Sequence, residues 1–344
     1  MSRTYRVAVL PGDGVGPEVV EATIKVLEAT QETVRGLNLK LEYGEAGFNC
    51  IKKYGTNLPQ ETIELLRETD VCLKGPMTTP EKPGAPPSAA VTIRKLFDLY
   101  ANIRPCKSLP GVPSLKPNID LVVVRENTEG LYFGKEFEVS PGMGVAMRVI
   151  TEDATVKVAK LAFELALKRR GLLTCVHKRN ILRITDGIFR NTVMKIAGQY
   201  PNVKVNEVHV DAMAMRLVKE PDKFDVIVAP NLYGDIISDE AAQIIGGLGV
   251  APGANIGDRY AMFEPVHGSA PKYAGKNKVN PIAMILSAKL MLEYLGENKA
   301  ASLIEEAVIN VLKEGKVRTY DLGGNSTTQE VGEAIASKIR ESGN

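Results

Sequence analysis

Short runs rich in aliphatic and β-branched residues alternate along the chain with longer segments of helical period. That is the pattern of an α/β protein built on a parallel or mostly parallel sheet. Tyr5–Leu10 reads as the first strand. Pro17 opens a helix at a first-turn position, where its missing N–H costs least, and Val20, Ile24 and Leu27 give that helix one apolar face. Val71–Leu73 predicts a short buried strand, Ala89–Tyr100 a helix, and Asp120–Val124 a strand running directly into Arg125 and Glu126. Thr151 is placed to cap a helix that extends to about Arg170 and is closed by Gly171. Leu172–Val176, Lys204–Val210 and Asp225–Ala229 predict further strands, each followed by a helical pattern. The last helices are expected over Pro281–Leu295, Lys299–Glu314 and Thr328–Ser342. Pro and Gly concentrate in Thr79–Pro87, which predicts a mobile loop, and in Gly247–Gly257, which predicts a hinge-like connection. Breaks near residues 100 and 250 suggest a middle domain inserted between two halves of another.

The 344 residues leave room for two domains and a large core. Apolar residues make up 44% and charged residues 24%, a globular balance rather than a disordered one. Lys and Arg number 43 against 41 Asp and Glu, so no electrostatic footprint of a nucleic-acid or membrane partner is expected. No apolar run approaches the ~18 residues of a membrane span. The opening MSRTYRVAVLPGDG lacks the features of a signal peptide, and Cys50, Cys72, Cys106 and Cys175 are dispersed without paired spacing. Free thiols in a reducing, cytoplasmic setting are therefore expected. With three histidines and no cysteine cluster, a zinc site is disfavoured.

The sharpest chemical signal is acidic. Asp235 and Asp239 in NLYGDIISDEAAQ are four apart, so a helix puts both carboxylates on one face. Asp211 follows a predicted strand and could add a third oxygen ligand, a set suited to Mg²⁺ or Mn²⁺. Taken by spacing alone, the pair also fits ordinary first-turn acids favoured by a helix dipole. Arg94, Arg104 and Arg125 would suit a di- or tricarboxylate if they converge, because guanidinium forks bind carboxylates bidentately; singly, each also fits a surface ion pair. Arg125 stands out, since the carboxyl end of a strand in an open α/β sheet faces the ligand crevice. Lys178 also follows a strand, and a lysine with apolar and cationic neighbours can act as a base. Tyr132 could donate a proton. Gly12–Gly16 (GDGVG) lies between strand and helix but is not the G-x-G-x-x-G dinucleotide fingerprint. Phe263–Pro281 could wrap a nucleotide, although by bare composition it is a plain loop.

Together, GDGVGPEV, DLYANIRP, VVVRENTEGLY, HKRNILRITDG, NLYGDIISDEAA, EPVHGSAPKYAGKNKVNP and DLGGNSTT occur in an order that resembles the isocitrate/isopropylmalate dehydrogenases, metal-dependent β-decarboxylating enzymes. The resemblance implies a large α/β domain from residues 1–99 and 250–344 and a smaller inserted α/β domain of residues 100–249, with the active site between them. It implies a homodimer with shared sites. Arg94, Arg104 and Arg125 would grip the substrate carboxylates, joined by Lys74 and Ser88. Tyr132 would be the acid. Lys178, as base, and Asp211 would arrive from the partner chain, and Asp235 and Asp239 would complete the metal site.

Cofactor binding would fall to Thr79, His267, Gly268, Lys272, Tyr273, Val279, Asn280 and Tyr320. Lys272, Tyr273, Val279 and Tyr320 match the NADP-type pattern of isocitrate dehydrogenases, since a cation and phenols suit a 2′-phosphate. Gly324 stands where some NADP enzymes carry an arginine, and NAD use stays open. For the substrate, isocitrate is the leading expectation, giving 2-oxoglutarate and CO₂. Ser88-Ala89-Ala90-Val91 departs from the S-x-N of isocitrate enzymes, however, so homoisocitrate, isopropylmalate or mixed use are alternatives. A non-catalytic regulatory subunit is the alternative of another class; it predicts loss of Tyr132, Lys178 or the aspartates, all of which are present.

Overall fold

The computed structural model describes residues 3–82 and 85–343. Its strands are β1 (Thr4–Leu10), β2 (Asn38–Tyr43), β3 (Val71–Lys74), β4 (Ala101–Lys107), β5 (Asp120–Glu126), β6 (Glu136–Ser140), β7 (Met143–Ala146), β8 (Leu172–His177), β9 (Lys204–His209), β10 (Val226–Ala229), β11 (Pro252–Ile256) and β12 (Ala261–Pro265). The helices are α1 (Gly16–Thr33), α2 (Phe48–Tyr54), α3 (Gln60–Glu68), α4 (Ala89–Leu96), α5 (Glu152–Leu167), α6 (Thr185–Ala197), α7 (Val210–Lys219), α8 (Asn231–Ile244), α9 (Ile282–Tyr294), α10 (Asn298–Glu314) and α11 (Thr328–Ser342). Ten strands form one sheet in the order β2-β1-β3-β12-β11-β4-β5-β10-β8-β9, while β6 and β7 form a separate two-stranded ribbon. Only β11 runs against its neighbours β12 and β4, and β4 against β5; the other pairs are parallel. The α/β architecture and the mostly parallel sheet expected from the sequence are both present.

Strand register collects polar side chains on one face at mid-sheet. Residues opposite one another in a ladder point to the same side. Asn102 lies opposite both Asn255 and Arg125, Asn255 lies opposite Met262, and Glu264 follows two residues on along the same face. Lys74, at the end of β3, lies one step beyond the Phe263–Leu73 pair and so shares that side. A row of polar side chains therefore crosses this face over β3, β12, β11, β4 and β5, with α4 and α8 beside it.

Two predicted segments differ from the structure. The helix at Ala89 stops at Leu96, because Asp98 takes φ 47° and the chain enters β4 at Ala101. Gly247–Gly257 is no simple hinge connection: Pro252–Ile256 is the strand β11, hydrogen-bonded between β12 and β4, with four of its five residues buried. Of the predicted loop, Thr79–Lys82 and Ala85–Pro87 are irregular, and Pro83 and Gly84 lie outside the described residues. Elsewhere local signals hold. Thr151 Oγ accepts the Ala154 N–H at 3.2 Å and caps α5, and Gly171 (φ 69°) turns the chain after that helix. Among the described residues no helix is long and apolar enough to cross a membrane.

Candidate active site

β5 ends inside the protein, and its penultimate residue, Arg125, is 1% exposed. Burying a guanidinium without partners would be prohibitive, and α8 supplies them. Asn231, in its first turn, accepts from Arg125 Nε at 2.9 Å and Nη2 at 2.7 Å, and Asp235 one turn later pairs with Nη1. Close approach of α8 to β5 depends on Gly234, where a Cβ would lie 2.7 Å from Arg125 Cβ. Arg104 of β4 donates to Asn102 at 2.6 Å and to Ser238 at 2.8 Å, and its Nη1 meets Asp239 at 2.9 Å and Asp235 at 3.1 Å. Tyr132 donates its hydroxyl hydrogen bond to Asp235 and lies under the Arg125 guanidinium, 4.8 Å from ring centroid to Cζ. Arg104, Arg125, Tyr132, Asp235 and Asp239 are thus one cluster.

Lys74 and Arg94 join it through a residue that the sequence patterns did not single out. Glu264 of β12 takes Lys74 Nζ at 2.6 Å, Arg94 Nη2 at 2.9 Å and Asn255 Nδ2 at 2.8 Å. Asn255 in turn accepts from Asn102 at 2.9 Å, linking Glu264 to the partner of Arg104. The available signal was position alone, an acid inside EPVHGSAP. Ser88 stands just before α4, its carbonyl accepting the Thr92 N–H at 2.9 Å.

Burial and neighbouring charge compete over protonation here. Burial pushes the Arg125 guanidinium down to about 10, with Arg104 and Arg94 adding to the effect. Burial also raises the Asp235 carboxyl, but Arg125 and Arg104 outweigh it and hold the group below its ordinary value. At Asp239 burial wins and the carboxyl is raised. Burial likewise raises the Tyr132 phenol, so it carries its proton at neutral pH.

Lys178 and Asp211 are elsewhere in the chain. They follow β8 and β9 at the carboxyl edge of the sheet, and Lys178 Nζ meets Asp211 Oδ1 at 2.5 Å. Lys178 holds Asp211 below the ordinary carboxyl range. Among the described residues, no group of three or more His, Cys, Asp or Glu side chains within this chain could hold a metal ion. Asp235 and Asp239 therefore offer two hard oxygen donors but not a complete set.

The GDGVG turn is a backbone knot rather than a phosphate fingerprint. At Gly14 (φ 62°) a Cβ would stand 1.9 Å from the Ser269 carbonyl oxygen, and Val15 N–H donates to that oxygen at 2.9 Å. Asp13 accepts from the backbone N–H of Phe48, Asn49 and Thr78. The knot fixes the segment after β12. There His267 Nδ1 lies 3.0 Å from the Gly268 carbonyl, and its buried Nε2 has no partner, an atom suited to a cofactor's acceptor or donor. Burial lowers the His267 pKa. Tyr273 stacks on Tyr320 with centroids 5.8 Å apart, and Lys278 Nζ lies 4.7 Å over the Tyr320 ring. Lys272 is exposed beside them, and Asn280 donates to Asp321 at 3.0 Å. Val279 packs against the core, while Thr79 is exposed. At Gly324 a Cβ would lie 2.2 Å from the Arg318 carbonyl oxygen, so no side chain fits there without moving the loop.

The sequence model of isocitrate/isopropylmalate dehydrogenases matches residues 6–335, and the chain belongs to that family. It is an NAD(P)-dependent β-decarboxylating dehydrogenase, of a family that uses a nicotinamide cofactor, a divalent metal and small carboxylate substrates. It is 48% identical to the 3-isopropylmalate/3-methylmalate dehydrogenase of Methanocaldococcus jannaschii, over 98% of this chain and 99% of that one. The homoisocitrate dehydrogenase of the same organism is 46% identical, over 98% of each chain. Among solved structures, the isocitrate dehydrogenase of Methylococcus capsulatus superposes with a TM-score of 0.93 at 42% identity, over 98% of this chain and 99% of that one.

Proposed function

We propose that the chain acts as a homodimer that oxidises and decarboxylates a malate whose third-carbon substituent is small and aliphatic, as in 3-isopropylmalate, with NADP as oxidant. The carrying observation is the face of α4. Ala90 and Val91 lie four and three residues before Arg94, one turn away on the same side of the helix. A substrate held by Arg94 would set its substituent against two aliphatic side chains. An isocitrate γ-carboxylate placed there would find no amide partner, and an unpaired buried charge costs several kcal/mol. Isocitrate or homoisocitrate is the second reading, favoured by Ser88 and by the Lys272–Tyr273 loop.

Arg94, Arg104 and Arg125 hold the carboxylates. The forks that grip Asp235 and Asp239 match a substrate carboxylate equally well, and the exchange frees aspartate oxygens for a cation. Asp211 of a second copy completes the donor set with Asp235 and Asp239. When bound, Mg²⁺ or Mn²⁺ polarises the substrate oxygens and the nicotinamide accepts hydride. Lys178 of the second copy takes the hydroxyl proton on Nζ. After CO₂ departs, Tyr132 Oη delivers a proton to the carbon left behind. The phenol stack with Lys272 and Lys278 beside it supports the choice of NADP, because cations and hydroxyls suit a 2′-phosphate.

The homodimer is supported by apolar surface. Every residue of the β6–β7 ribbon is exposed, Phe137, Val139, Met143 and Val145 among them, as are Met215, Val218 and Ile236 on α7 and α8. A lone two-stranded ribbon is marginal in water and needs something to pack on. The substrate reading is tested by kcat/KM for isopropylmalate, isocitrate and homoisocitrate with NADP and NAD. We expect isopropylmalate with NADP to lead isocitrate by about tenfold or more. A lead for isocitrate would overturn the aliphatic reading.

A further inference from the structure

Lys178 is the first residue beyond β8, where the ladder no longer fixes the backbone. Behind it stands Asp186, in the first turn of α6 and 0% exposed. Asp186 Oδ2 accepts the Lys178 backbone N–H at 2.6 Å. Its other oxygen is 2.8 Å from Arg148 Nη2. Arg148 is clamped by Tyr233: its Nη1 donates to the phenol oxygen at 2.9 Å, and its Cζ lies 4.6 Å from the ring centroid. Tyr233 belongs to the first turn of α8, two residues before Asp235. Continuous contacts therefore run from the Lys178 backbone to the helix that carries Asp235 and Asp239.

A wholly buried carboxylate is costly to keep, and removing its partners strands the charge. Here the side chain accepts one hydrogen bond, from the Lys178 N–H, and Arg148 meets its other oxygen as an ion pair without hydrogen-bond alignment. A lysine side chain has four rotatable bonds, so a loose backbone would let Nζ sweep a wide volume. A tethered backbone narrows that volume to the reach required for proton transfer.

We propose that Asp186, braced by Arg148 and Tyr233, is a positioning residue that fixes where Lys178 presents its amine. The proposal rests on the reading of Lys178 as the base. The test compares Asp186→Ala, Asp186→Asn and Tyr233→Phe with Lys178→Met, using substrate deuterated at the hydride-bearing carbon. Asp186→Ala should lower kcat by about 10- to 100-fold with KM values within about threefold, and the isotope effect on kcat should rise as chemistry becomes rate-limiting. Asp186→Asn, which keeps an acceptor for the Lys178 N–H, should recover most of the loss. Tyr233→Phe should give a smaller loss with the same isotope signature, and it decides the matter if Asp186→Ala does not fold. A loss confined to KM, an unchanged isotope effect, or wild-type kcat in Asp186→Ala would overturn the positioning role. Where Lys178→Met collapses turnover in the same assays, any of those three outcomes removes the role of Asp186 alone and leaves the base reading standing. If Lys178→Met keeps wild-type kcat, the base reading falls and the positioning role falls with it.

Discussion

Glu264 neutralises two buried cations, Lys74 at 2.6 Å and Arg94 at 2.9 Å, both less than a tenth exposed. Burial alone would raise its carboxyl, but Lys74 and Arg94 together hold it well below the usual carboxylate range. Glu264→Gln keeps shape and removes the charge, leaving both cations undercompensated. Breaking such a buried pair costs about 3–5 kcal/mol, measurable by chemical denaturation; a change below about 1 kcal/mol would show that solvent reaches the pair. The pH dependence has a definite sign. A depressed folded pKa stabilises the protein above the unfolded carboxyl value of about 4.3, and that stability drains away as pH falls toward the folded pKa. The Gln variant should therefore lose less stability on acidification than the parent chain does.

At the scale of elements, the junction of α8 with β5 sets the distance between the acids and Arg125. Gly234 sits at that crossing, where a Cβ would lie 2.7 Å from Arg125 Cβ and 3.1 Å from its Cα. Alanine is worth about 1 kcal/mol over glycine in a helix. Here the clash should reverse that sign: Gly234→Ala is expected to lose about 1–3 kcal/mol and to lower kcat by pushing α8 outward. A stabilised, fully active variant would refute the account. This element was also the most legible in the sequence, because Asp235 and Asp239 recur at helical spacing. Arg125 was legible for a similar reason, standing at the end of an unbroken β-branched run. Glu264 was not, since its role comes from strands far apart in sequence meeting at β12. β11 was hidden because Pro252, Gly253, Ala254 and Asn255 lack strand preference and are held in place by neighbours on both sides. The end of α4 depends on a positive φ at Asp98, which no helical pattern announces.

At the scale of the molecule, the residues assigned to one reaction fall into two groups within a chain. Arg125, Tyr132, Asp235 and Asp239 cluster at mid-sheet, while Lys178 and Asp211 pair with each other beyond β8 and β9. If two copies associate by a two-fold axis, each reacting centre takes the first group from one chain and the second from the other. Mixing inactive variants tests this directly. Lys178→Met and Asp235→Asn homodimers should each be nearly inactive. Dissociated and reassociated together in equal amounts, half the dimers are mixed, and each carries one centre with both defects and one with none. Activity should then return to about a quarter of the unmodified protein. Were each chain to hold a whole site, every centre in the mixture would keep one defect and no activity would return. Sedimentation of the mixture confirms that a dimer has re-formed, so a null result separates failed assembly from unshared sites.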